Sequence, residues 1–214
     1  MNDAETAKRR SIIDACLKMS AMGINQGTSG NISLREGDGL LITPTGMPYD
    51  VMAPEDIVAM SFDGSWNGRR TPSSEWRFHC DIMRSRPDIQ AILHAHPVHA
   101  TTVAIMELGI PPLHYMVAVA GGADIRCAPY AIYGSQELSD LAIAALEDRT
   151  ACLLAHHGLI TLGATLERAL YVAGEVETLA RQYLACLAVG GPKLLSGAQM
   201  DHVLAKFADY GRTD

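Results

Sequence analysis

The sequence predicts one α/β domain on a mixed, largely antiparallel central sheet flanked by helices. Three observations predict it. The 214 residues are 48% hydrophobic and 19% charged, the composition of a chain that folds around its own core. Segments with helical apolar spacing are interleaved with short apolar runs bounded by Gly, Asp and Pro. Several of those runs are separated by turns too brief for a parallel crossover, which needs roughly a dozen residues or more.

Taken in order, Ala4 to Met22 reads as an amphipathic helix, with Ile12, Cys16 and Met19 on one stripe and Gly23 as its stop. Short strands follow at Asn31–Leu34, Leu40–Thr43 and Ile57–Ser61. Pro72-Ser73-Ser74-Glu75 is a helix-start signature, and that helix should run to about Arg86, before Pro87. Ala91–His96 reads as a buried strand, then a helix from Pro97 to about Leu108. A Pro/Gly-rich passage with short extended pieces occupies Gly109 to Gly134, and Ser135 opens a helix to Glu147. Strands Ala151–Ala155 and Leu159–Leu162 flank a His-His-Gly turn. A long helix starts near Thr165, burying Val172, Val176, Leu179 and Tyr183, and Ser196-Gly197-Ala198-Gln199 is a capping box for a last helix to Tyr210. With no internal repeat or linker, residues 1–214 read as a single domain.

Net charge is −7, and no Lys/Arg cluster stands out beyond short pairs such as Arg9-Arg10 and Arg69-Arg70. Nucleic acid and anionic membrane both need a concentrated basic face, so neither is expected as a main partner. The longest uncharged stretch, Ile89 to Met106, holds three histidines and is too polar for a membrane span. Five scattered cysteines form no C-x-x-C pair; Cys16, Cys80, Cys152 and Cys186 read as buried small hydrophobes. With the odd count and no signal peptide, a cytoplasmic location is expected.

His94-Ala95-His96 closes the buried run Ala91-Ile92-Leu93, and residues two apart on a strand face the same way, so two imidazoles should project together. A second strand-like run ends in His156-His157-Gly158, where neighbours point to opposite faces and His157, at the turn, is the better third member. Three histidines at strand ends can make an open metal site; the ordinary alternative is hydrogen-bonded structural histidines, assigned here to His79, His99, His114 and His202. Glu75, in a first helical turn, either caps the helix or, beside a metal, serves as an acid/base. Thr28 and Asn31 in Gly27–Asn31, Thr45-Gly46, and Ser73-Ser74 are donor-rich, and together they could cradle one phosphate without Lys or Arg. Tyr115, Tyr133 and Tyr210, judged alone, are packing residues.

At these residues the chain resembles the zinc-dependent class II aldolases of sugar phosphates, in particular the fuculose-phosphate branch. The matching stretches are Asn25–Asn31, Leu41–Tyr49, Pro72–His79, the His94-Ala95-His96 run, Leu113–Met116, Ala120–Gly122, Cys127–Tyr130 and His156–Ile160, in the family's order. The resemblance implies a three-layer aldolase/adducin-like fold. It also implies Zn²⁺, with Mn²⁺ or Co²⁺ as other candidates, on His94, His96 and His157. Glu75 would be acid/base and an extra resting-state ligand. Thr28, Asn31, Thr45, Gly46, Ser73 and Ser74 would hold the phosphate. Tyr115 would reach into a neighbouring subunit's site and Tyr210 would close over it, in a homotetramer with active sites between subunits.

The implied reaction cleaves a ketose 1-phosphate, L-fuculose 1-phosphate or a related 5-deoxy-ketose 1-phosphate, to dihydroxyacetone phosphate and an aldehyde through a zinc-stabilised enediolate. No Schiff-base lysine is needed, and Lys8, Lys18, Lys193 and Lys206 lie away from the motifs. Tyr133 stands where a phenylalanine is expected in the fuculose-phosphate enzymes, with consequences for the aldehyde pocket. The tail after Tyr210 is short. A sugar-phosphate 4-epimerase, a dehydratase of a methylthio sugar phosphate, and a non-enzymatic interaction domain are the alternatives on the same fold.

Overall fold

The computed structural model describes residues 2–207. Eight strands form one sheet in the order β4-β3-β2-β1-β5-β8-β7-β6. In chain order the strands are β1 (Asn31–Glu36), β2 (Gly39–Ile42), β3 (Val58–Ser61), β4 (Trp66–Asn67), β5 (Ala91–Ala95), β6 (Arg126–Ala128), β7 (Ala151–Leu154) and β8 (Gly158–Gly163). Every pairing is antiparallel except β6 with β7, so the sheet is mixed and largely antiparallel as the close strand spacing predicts. The helices are α1 (Asp3–Ala21), α2 (Trp76–Ser85), α3 (Val98–Ile105), α4 (Gln136–Ala145), α5 (Leu166–Leu187) and α6 (Gly197–Phe207).

Strand alternation divides the apolar side chains into two cores, one on each face of the sheet. Ile32, Leu41, Leu93, Leu153 and Leu159 face a core shared with α1, α3 and α5. Ile42, Ile92, Cys152, Leu154 and Ile160 face a second core shared with α2 and α4. The result is three layers, helix on sheet on helix. Ile92 and His94 have the same parity, so His94 emerges on the α2 side, where its ring meets Phe78 edge-on at 5.5 Å.

Element ends shift for local reasons. The helix predicted from Pro72 begins only at Trp76, because the preceding segment is tied to the sheet: Ser73 N–H donates to the Thr43 carbonyl and Thr45 N–H to that of Thr71. The strand predicted through His96 stops at Ala95, and Pro97, extended in backbone, caps α3 rather than joining it. Inside α3's first turn, the backbone N–H groups of His99 and Ala100 donate to the Glu177 carboxylate from α5, which clamps the two helices. His99 is structural, as expected. The short edge strands β4 and β6, and the 3-10 turns Tyr49–Val51, Pro54–Asp56 and Tyr115–Ala120, carry no periodic pattern long enough to announce them. Ser196 and Gln199 form the predicted capping box. Its helix is described to Phe207, so Tyr210 lies outside the described residues. Cys16, Cys80 and Cys152 are buried, whereas Cys186, predicted buried, is only half-buried on α5. Among the described residues no helix is long and apolar enough to cross a membrane.

Candidate metal centre and substrate cleft

The sheet order β2-β1-β5-β8 brings one end of each of these four strands to the same edge. Asn31 opens β1 opposite His94, and Ala95 pairs with Leu159 at the start of β8. His94 is fully buried. Its Nδ1 lies 2.9 Å from the Leu159 carbonyl, which can only accept, so Nδ1 carries the proton and Nε2 presents a lone pair. That lone pair faces His96 Nε2 at 2.9 Å and Glu75 Oε2 at 3.1 Å.

The β7–β8 turn decides which of its two histidines takes part. His156 has φ +55°, a left-handed conformation that reverses the chain, and its side chain turns outward to Glu107 at 3.0 Å. His157 is thereby aimed inward, with Nε2 3.0 Å from Glu75 Oε1. Gly158 makes this approach sterically open, since a Cβ there would strike the Ala95 carbonyl and lie 2.7 Å from the His96 ring.

Glu75 sits immediately before α2 and makes no capping hydrogen bond, so of the two readings open from sequence the capping one fails. Its carboxylate is buried, and Oε1 accepts no hydrogen bond although His157 Nε2 is close. Burial by itself would raise this carboxyl, but positive charge at the His94 and His157 positions beside it, on the imidazoles when no cation is bound, holds it well below the usual carboxylate range. Burial also pushes the His96 imidazole down to about 3, which keeps it neutral and able to act as a ligand. One donor atom from each of Glu75, His94, His96 and His157 lies within 4.8 Å of all the others. Three imidazoles and a carboxylate whose buried Oε1 lacks a hydrogen-bond partner converge on one point and suit a divalent cation.

A cleft of about 370 Å³ opens above this cluster, lined in part by Ser29, Ser74, Tyr130 and Tyr133, with no Lys or Arg on its wall among the described residues. Tyr133 thus lines this cleft and is exposed. The Pro44–Pro72 bridge lays Thr45-Gly46 beside Ser73-Ser74, and Thr43 Oγ1 accepts from the Ile32 N–H next to Asn31. The three predicted donor-rich segments are thus adjacent, with Thr28, Thr45 and Ser74 exposed and Ser73 buried. Asn31 is employed differently from its predicted neighbours, since its side-chain amide is committed to Glu75 and His79. Tyr115 is half-exposed beside His114 and Phe207 and does not line its own chain's cleft.

Sequence reasoning missed a polar layer beneath the site. Asn25 Oδ1 accepts from the His96 N–H at 3.4 Å and from Ser29 Oγ at 3.3 Å, while Asn25 Nδ2 donates to the buried Tyr49 hydroxyl. His79, assigned a structural role, is wholly buried and joins the site through Asn31. Its signal was the spacing Glu75–His79, one helical turn on one face.

The family model for the class II aldolase and adducin N-terminal domain matches residues 10–184. The chain is 50% identical over 211 residues to a 5-methylthioribulose-1-phosphate/5-deoxyribulose-1-phosphate aldolase of Rhodospirillum rubrum, covering 99% of this chain and 96% of that protein. It is also 50% identical over 203 residues to an L-fuculose phosphate aldolase of Escherichia coli, covering 94% of each. A solved L-fuculose 1-phosphate aldolase superposes with a TM-score of 0.92 at 36% identity, over 97% of this chain and 98% of that one.

Proposed function

The chain belongs to the class II aldolase family, and from that premise we propose that it is a metal-dependent lyase cleaving a short ketose 1-phosphate to dihydroxyacetone phosphate and an aldehyde. The observation that carries the reading is the convergence of Glu75, His94, His96 and His157 at the floor of a cleft flanked by donor-rich segments. The proposed metal is Zn²⁺, held by the three histidines, a set that also suits Mn²⁺ or Co²⁺. When bound, the metal supplies a Lewis acid that favours negative charge on the ketose oxygens as the C–C bond breaks.

The chain's own residues do the rest. Thr28, Thr45, Gly46, Ser73 and Ser74 hold the phosphate through neutral donors, while the Asn31 amide at the loop's end stays committed to Glu75 and His79. Hydrogen bonds to a charged group contribute roughly 1.5–3 kcal/mol each, so a handful can replace a Lys or Arg. Glu75 moves the proton at the carbon that becomes the hydroxymethyl group of dihydroxyacetone phosphate. Tyr133 forms part of the wall facing the departing aldehyde. Tyr115, which does not line its own chain's cleft, handles the proton on the C4 oxygen in a neighbouring subunit's site. That arrangement requires an oligomer, and we propose a homotetramer acting in the cytoplasm.

The two relatives cited at 50% identity are named for different ketose phosphates, so the proposed substrate is the class: L-fuculose 1-phosphate, 5-deoxyribulose 1-phosphate or 5-(methylthio)ribulose 1-phosphate. A coupled assay for dihydroxyacetone phosphate release from each, with and without a chelator, tests this. Chelator-sensitive release is expected, and the ranking of kcat/KM names the substrate. Bound metal with no triose phosphate from any ketose would point to epimerisation or dehydration instead.

A further inference from the structure

Four buried polar residues behind the metal cluster form a single hydrogen-bonded chain. Ser33 Oγ lies 2.7 Å from His79 Nδ1, His79 Nε2 lies 2.6 Å from Asn31 Oδ1, and Asn31 Nδ2 lies 2.9 Å from Glu75 Oε2. All four side chains are buried, His79 and Ser33 completely. The placement follows from two periodicities that interlock. Asn31 and Ser33 share one face of β1, and Glu75 and His79 share one face at the start of α2.

Only one assignment of protons satisfies every member. The ionised Glu75 carboxylate can only accept, so the Asn31 NH₂ must face it. Asn31 Oδ1 then faces His79 and needs a donor, which fixes the proton on Nε2. Nδ1 is left with a lone pair, and the Ser33 hydroxyl donates to it. Every donor therefore points toward Glu75, and such aligned bonds polarise one another. At the far end only one carboxylate oxygen is pinned: Oε2 is held by Asn31 while Oε1 accepts no hydrogen bond.

We propose that His79 is a positioning residue for Glu75, acting through Asn31, with Ser33 fixing the His79 tautomer that this requires. Without the His79 donor, Asn31 Oδ1 loses its partner and the amide is held only through Nδ2, by Glu75 and the Ser29 carbonyl, so its orientation is less firmly fixed. Flipped, it would set Oδ1 against a carboxylate oxygen. The carboxylate would then lose the hydrogen bond it accepts from a residue outside the metal cluster. The inference rests on the aldolase reading, which makes Glu75 the group that moves the proton.

The experiment uses metal-loaded protein and follows incorporation of solvent deuterium into dihydroxyacetone phosphate without aldehyde, a reaction that isolates the proton transfer. His79→Leu should slow this exchange and kcat by roughly 10–100-fold, with KM and metal content unchanged. His79→Gln, which keeps an N–H donor near the Nε2 position, should recover most of the loss. Normal exchange in His79→Leu, alongside lost exchange in Glu75→Gln, would overturn this proposal and leave the aldolase reading standing. Normal exchange in both would remove Glu75 from the chemistry and with it the aldolase role assigned to it. Should His79→Leu not fold, long-range ¹H–¹⁵N spectra of the metal-free wild-type protein decide directly. An Nε2–H tautomer at His79 is expected, and an Nδ1–H tautomer overturns the proposal.

Discussion

His94 Nε2 and His96 Nε2 lie 2.9 Å apart, and the proton of His94 is already engaged on Nδ1 with the Leu159 carbonyl. Two imidazoles aimed at each other, with a buried carboxylate 3.1 Å from the first, are mutually consistent when a cation sits between them. Metal removal should therefore destabilise the protein. A ligand at about 1,000 times its Kd adds about 4 kcal/mol, or roughly 8–16 °C in Tm for a chain of this size. Calorimetry with and without chelator measures it, and an unchanged Tm would deny the cluster a metal.

The adjacent histidines of the β7–β8 turn should separate cleanly. His157→Gly should lose bound metal by elemental analysis. His156→Gly should keep it, with stability unchanged or raised by up to about 1 kcal/mol, because glycine accepts the positive φ that His156 adopts. Metal loss in the His156 variant would mean that the ligand assignment at this turn is reversed.

Gly158→Ala should damage fold and site together. The new Cβ would meet backbone at Ala95 and the ring of His96, neither of which can move without disturbing the ligands. A cost of about 1–3 kcal/mol in chemical denaturation, with weakened metal binding, is expected. Wild-type metal affinity in that variant would show that the spacing of β5 and β8 at this point is not critical.

Glu75→Gln should preserve fold and phosphate affinity while lowering turnover by roughly 10²–10⁴-fold, the usual range for a general acid/base. Steady-state kinetics give the answer, and near-normal kcat contradicts the assignment.

Burial pushes His79 down to about 3, with the His94 imidazole adding to the effect, whereas in the unfolded chain it titrates near 6.5. Between those values the unfolded state binds one more proton than the folded state. Stability should then fall as pH drops from about 6.5 toward 3, by up to about 1.4 kcal/mol per pH unit from this group alone. Comparing denaturation of wild type and His79→Leu across that range isolates the slope. Parallel curves would mean that His79 does not stay neutral in the folded protein.

The sequence by itself determined the alternation of helices and short strands, the largely antiparallel sheet, and the convergence of His94 and His96 at the end of β5. Each of these depends on spacing along the chain, a period of two or of 3.6, or a turn too short to cross over. It left Glu75 open between cap and acid/base, and it left His79 among structural histidines. Tertiary structure removed the cap for Glu75 and set His79 against Asn31. Only the order β2-β1-β5-β8 sets Asn31 opposite His94, and only the docking of α2 beneath that edge brings Glu75 and His79 to Asn31. The choice of His157 over His156, anticipated from the turn, rests physically on the left-handed backbone at His156. A hydrogen-bonded chain of four residues spread from Asn31 to His79 depends on distances between elements, and periodicity within an element carries no information about those distances.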